Sequence, residues 1–84
     1  MMVEETIYKH YQCKVVTKKT LIPVDECRRG EGGDSVMLQC GLDQVIERRY
    51  TTGDCSGVPQ YVVTPTNTCI VQWWGSLSRV CRES

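Results

Sequence analysis

Residues 8–27 read YKHYQCKVVTKKTLIPVDEC, and residues 50–69, 42 positions later, read YTTGDCSGVPQYVVTPTNTC. Laid over one another, Tyr8 meets Tyr50, Cys13 meets Cys55, Pro23 meets Pro65, Asp25 meets Asn67 and Cys27 meets Cys69. With one residue dropped, Ser35 meets Ser76, Val36 meets Leu77 and Cys40 meets Cys81. The shared pattern is Tyr-x4-Cys-x9-Pro-x-(Asp/Asn)-x-Cys, then a variable stretch, then Ser-apolar-x3-Cys. Two repeats, residues 1–42 and 43–84, account for the whole sequence. A unit of that size struggles to bury a core alone, so the expectation is a single domain, 1–84, built from two pseudo-symmetric halves.

Composition says what the halves are made of. Val, Ile and Thr together number 23, and there is neither Ala nor Phe. Lacking the best helix former and rich in β-branched residues, the chain is expected to be all-β. Alternation and turn residues place strands at 6–16, 18–24, 35–40, 44–51, 60–64, 68–73 and 77–81, with breaks at 30–34, Gly41, 53–54, 56–57 and Gly75. Short strands with regular turn signals point to a sandwich or small barrel.

The six cysteines, Cys13, Cys27, Cys40, Cys55, Cys69 and Cys81, contain no CxxC pair, and His10 is the one histidine. Zinc sites want closely spaced ligand pairs, so neither a metal nor another cofactor is expected, and the cysteines read as disulfides. Disulfides imply an oxidising compartment, hence a secreted or extracellular protein. The start, Met1-Met2-Val3-Glu4-Glu5, has no apolar signal-peptide core, so either this is a mature chain with an added start or the oxidising-compartment reading is wrong. Each half holds three cysteines, so at least one bridge must join the halves. Of the 15 pairings that six cysteines allow, equivalent halves leave seven. The one favoured here is Cys13–Cys27, Cys55–Cys69 and Cys40–Cys81, in which the first two close local loops and the third staples the halves together.

Ten Lys and Arg balance ten Asp and Glu. Zero net charge argues against nucleic-acid binding, which needs a basic face toward phosphates, and against a cationic membrane-lytic peptide. No apolar run reaches the roughly 18 residues of a spanning helix. No residues are spaced to set a nucleophile against a base, so the chain is expected not to be an enzyme.

The run Tyr50-Thr51-Thr52-Gly53-Asp54-Cys55-Ser56-Gly57 resembles the folded-hairpin signature of βγ-crystallin Greek keys, aromatic-x4-aromatic-x-Gly, with Cys55 in the second aromatic place. Ser35-Val36 and Ser76-Leu77 resemble the later Ser-apolar step of that motif. The resemblance implies two Greek keys in one domain. Val15 stands where the first half should carry the glycine, and the family's calcium-binding pattern is absent from both halves, so no calcium is implied. Asp54 to Gly57 with Asn67 to Cys69 also resembles small secreted cysteine-rich proteins of amoebae.

The halves diverge most between their second and third cysteines, where specialised residues are expected. Half one has Arg28-Arg29-Gly30-Glu31-Gly32-Gly33-Asp34, and half two has Ile70-Val71-Gln72-Trp73-Trp74-Gly75. Arg28, Arg29 and Gly30 beside a cystine fit a protease-inhibitory loop. There a basic side chain enters an acidic pocket and extended backbone adds to the enzyme's strand edge. The plainer reading is a solvated hairpin tip. Trp73 and Trp74 fit a carbohydrate- or surface-binding platform, since an indole offers a flat apolar face with one donor. On a strand the two rings point to opposite faces, so one is expected in the core. The leading expectation is a secreted binding module that inhibits a protease. A glycan-binding module and a structural extracellular protein are the alternatives.

Overall fold

A computed structural model describes residues 1–83 of the chain. Among these residues eight strands form: β1 Met2–Tyr8, β2 Val16–Pro23, β3 Arg28–Arg29, β4 Ser35–Cys40, β5 Gln44–Tyr50, β6 Gln60–Pro65, β7 Ile70–Gln72 and β8 Gly75–Arg82. They make two four-stranded antiparallel sheets, in the orders β2-β1-β8-β7 and β3-β4-β5-β6. The all-β expectation holds, as a sandwich. The strand order differs from the Greek-key expectation. Instead of a fourth strand returning beside the first, β3 to β6 run as a meander, and the other sheet is two hairpins joined by β1 against β8. The connections β2–β3 and β6–β7 carry the chain between sheets, so each sheet takes strands from both halves of the sequence.

That exchange overturns the local disulfides. The bridges are Cys13–Cys69, Cys27–Cys55 and Cys40–Cys81. Only the last matches the expected pairing. Cys13 lies in the β1–β2 loop and Cys69 just before β7, which belongs to the same sheet. Cys55 in the β5–β6 loop meets Cys27, just before β3, for the same reason. The nearest cysteine in space is the one on the neighbouring hairpin, and that hairpin comes from the other half.

The expected strand 6–16 is also corrected. β1 stops at Tyr8, and residues 9–15 form a loop closed by Lys9 N–H donating to the Val15 carbonyl at 2.9 Å. Cys13 ends any extended run there, because its φ is +53°. The other non-glycine residues with positive φ among the described residues are Asp25, Cys55 and Asn67, at +56°, +57° and +54°. Asn and Asp tolerate this conformation better than other L-residues. The serines of the sequence pattern hold the two cysteine loops. Buried Ser76 Oγ accepts from the Cys13 N–H at 3.1 Å and donates to the His10 carbonyl. Buried Ser35 Oγ accepts from the Cys55 N–H at 2.9 Å and donates to the Thr52 carbonyl at 2.6 Å.

The apolar core is small: Val3, Ile22, Leu38 and Val45, one from each of β1, β2, β4 and β5, with Val24, Val36 and the Cys40–Cys81 bridge around them. Alternation along β1 and β5 then brings Glu5 and Glu47 to the same interior, two residues after Val3 and Val45. Between the sheets Arg79 of β8 donates to Glu5 at 2.8 Å and to Glu47 at 3.3 Å, and Arg49 also pairs with Glu47. Arg79 and Glu47 keep only 15% and 9% of their side-chain exposure. An ion-pair network therefore lies between the sheets beside the apolar core.

Candidate functional site

Trp73 and Trp74 sit at neither of their expected places. β7 ends at Gln72, which pairs with Gly75, so the two tryptophans are the central residues of the β7–β8 turn. A turn does not alternate its side chains as a strand does, and both rings are left outside: Trp73 is 87% exposed and Trp74 39%. The expectation that one would fill the core is corrected. The core takes its bulk from aliphatic residues, with Tyr50 buried at the far end of β5 from Val45.

The turn is braced against the β1–β2 loop. The Tyr11 hydroxyl donates to the Trp73 carbonyl at 3.2 Å, and its ring is itself exposed. The Cys13–Cys69 bridge ties that loop to the root of β7, and Ser76 ties it to the first residues of β8. Gly75 permits the close approach. Its φ is +151°, and a Cβ there would stand 2.5 Å from the Tyr8 carbonyl oxygen and 3.1 Å from that of Lys9. Tyr11, Trp73 and Trp74 thus stand exposed on one cross-linked frame. Sequence reasoning misses Tyr11 because it falls within the expected strand 6–16 rather than in a loop. The turn signal at Gly75 and the cysteine at position 13 are the clues that the sequence offers.

Arg28 and Arg29 are exposed, but they are not a loop tip. They form β3, paired through Arg28 with Val36 and through Arg29 with Ser35. The tip is residues 30–34, where Gly30 N–H donates to the Asp34 carbonyl at 2.9 Å and Gly32 and Gly33 adopt φ of +85°. The Arg29 guanidinium lies over Gly53 of the β5–β6 loop. Arg28 and Gly30 line a groove of about 380 Å³ between the sheets, together with Asp34, Glu5, Glu47 and Arg79. The structure therefore brings Arg28, Arg29 and Gly30 together on one sheet edge, and Trp73 and Trp74 together on a turn of the other sheet. In the β5–β6 loop Ser56 donates to Asp54 at 2.6 Å, and with Thr52 it holds the Asp54 carboxyl below its ordinary titration range. Among the described residues no group of three His, Cys, Asp or Glu side chains is placed to hold a metal ion, and no helix is long and apolar enough to cross a membrane.

A family model described as "Protein of unknown function (DUF3586)" matches residues 2–58, more than half of the chain. The chain belongs to the DUF3586 family. The match runs from β1 through the β5–β6 loop and stops short of the tryptophan turn. Two curated proteins are also similar, each 31% identical over 81 residues: "Cysteine proteinase B" of Leishmania mexicana and "Cysteine proteinase 2" of Leishmania pifanoi. The alignment covers 96% of this chain but only 18% of either relative's length. No solved structure matches.

Proposed function

We propose that this chain is a non-catalytic, disulfide-bonded binding module that recognises glycans through Tyr11, Trp73 and Trp74, in an oxidising, extracytoplasmic setting. The observation carrying this reading is Trp73, an almost fully exposed indole held at a turn that a disulfide and two polar side chains brace. Exposed aromatic faces stack on the apolar faces of sugar rings, with the indole N–H and Tyr O–H available to hydroxyls. A frame already ordered before binding avoids the entropy that a mobile loop would lose. Relatives named as cysteine proteinases are several times longer, and in such a polypeptide the module would hold the proteinase at a glycosylated surface.

Protease inhibition through Arg28 and Arg29 is the second reading. What favours it is β3 itself, extended backbone at a sheet edge beside the Cys27–Cys55 bridge. Against it stands the placement of both side chains over their own chain, at Gly53 and in the acid-lined groove.

One experiment separates them. On a glycan array the unmodified chain is expected to bind, with a shift in tryptophan fluorescence. Trp73→Ala loses about 30-fold in affinity, the size of a 2 kcal/mol hot spot. Its melting temperature stays within about 2 °C, since an exposed ring contributes little to folding. Arg29→Ala binds glycans normally. If no glycan binds, and the chain instead inhibits a cysteine- or serine-protease panel until Arg28 or Arg29 is replaced, the glycan reading is wrong and the second one stands.

We also infer that the two 42-residue halves are equivalent structural units. In support, the left-handed residues Cys13 and Asp25 recur as Cys55 and Asn67, and Ser76 and Ser35 make the same two bonds to their loops. Ser35→Ala and Ser76→Ala are then expected to cost the same stability, about 1–3 kcal/mol each for the buried groups left unpaired. Urea denaturation giving costs that differ by more than about 1 kcal/mol, beyond the usual scatter of such series, would refute the equivalence.

A further inference from the structure

All twenty charged side chains lie outside residues 55–78. That uncharged stretch supplies β6 and β7, an edge strand of each sheet. Edge strands present unpaired backbone donors and acceptors, and proteins guard them by shortness, lysine or proline. Among the four edges, β3 has two residues, β7 has three, and β2 carries Lys18 and Lys19. β6 alone is six residues long with no charge and has its proline, Pro65, only at its last position, and Tyr61 and Val63 stand 61% and 54% exposed on it.

The strand is also complementary to itself. Placed antiparallel to a second copy about a twofold axis through Val62, it sets Tyr61 opposite Val63 of the second copy and Gln60 opposite its Thr64, each pair occurring twice. Aromatic and β-branched residues are favoured partners across strands, and no like charges meet. Pro59 falls opposite Pro65 of the second copy at both ends of this register. Neither proline has a backbone N–H to leave unpaired, so the ladder closes where the strand does.

We propose that the chain forms a symmetric dimer through its β6 edge, joining two β3-β4-β5-β6 sheets into one eight-stranded sheet. The contact is isologous, the same patch on both copies, and so closes at two chains rather than growing into a fibre. A single edge contact is small, which places the dimer among weak, concentration-dependent assemblies. The axis pairs two copies of the aromatic turn, and two weak sites on one particle bind a multivalent surface far more tightly than one.

Sedimentation velocity and light scattering on the full 84-residue chain test this. The mass is expected to rise from 9.6 kDa toward twice that value as concentration increases. Val63→Lys, which places a charge in the ladder, raises the dimer dissociation constant at least about tenfold. Tyr61→Glu combined with Val63→Lys restores dimerisation, because the twofold register sets each introduced carboxylate against the introduced ammonium of the other copy. Both positions are exposed, and circular dichroism confirms that each variant keeps its strands. A mass that stays at the monomer up to about 1 mM, the weak limit of specific association, overturns the proposal. So does dimerisation that Val63→Lys leaves unchanged, or a double variant that stays monomeric.

Discussion

Arg79→Met lowers the stability of the fold by about 3–5 kcal/mol, the cost of leaving buried charges without their partner. Small domains are stable by only about 5–15 kcal/mol in total. Arg79 is the one cation among the described residues that touches carboxylates on both sheets, Glu5 on β1 and Glu47 on β5, and it is itself 15% exposed. Methionine fills much of the same volume but leaves two carboxylates facing one another on the wall of the groove between the sheets. Arg49 still reaches Glu47, but from a side chain that is 58% exposed, so water screens most of its effect. The expected melting temperature falls by about 15 °C or more at this chain length. Adding Glu5→Gln and Glu47→Gln to Arg79→Met is expected to recover most of that loss, because a neutral interior carries no desolvated charge. A single-variant loss below about 1 kcal/mol in urea denaturation would mean that water reaches the network.

Replacing Cys13 and Cys69 together by serine is the second large effect. The bridge spans 56 residues of sequence, against 28 for Cys27–Cys55. By loop-closure entropy its removal costs about 4 kcal/mol, comparable with the shorter bridge, because Cys27–Cys55 already shortens the path from Cys13 to Cys69. Its functional cost is specific, because this bridge ties the β1–β2 loop to the root of the tryptophan hairpin. The variant is expected to lose glycan affinity, whereas Cys27→Ser with Cys55→Ser loses stability alone. Peptide mapping without reductant checks the pairing directly: in the Cys13 and Cys69 variant, Cys27 and Cys55 remain bridged. Two free thiols at those positions would favour the local pairing that sequence spacing suggests.

The strand content is largely legible in the sequence. β4 is read at its observed bounds, 35–40, because Ser-Val-Met-Leu-Gln-Cys lies between a glycine-rich tip and Gly41. β2 is read to within two residues. β1 is misplaced because its apolar alternation continues past Tyr8 into a loop that has no proline or glycine to interrupt it. The aromatic site is half legible: its tryptophans stand out by composition, while Tyr11 joins them only through a contact 62 residues away in sequence.

Sequence alone determined that this chain is made of short strands, that its cysteines pair, and that its most divergent segments lie between its second and third cysteines. These follow from local preference, from residue chemistry, and from comparing one half with the other. Only the tertiary structure decided which cysteines meet, that Glu5 and Glu47 share an arginine between the sheets, and that both tryptophans face solvent. Each of those depends on which hairpin lies beside which. Once the chain crosses between sheets after β2 and again after β6, every hairpin gains a neighbour from the other half. Spacing along the sequence then no longer measures distance in space.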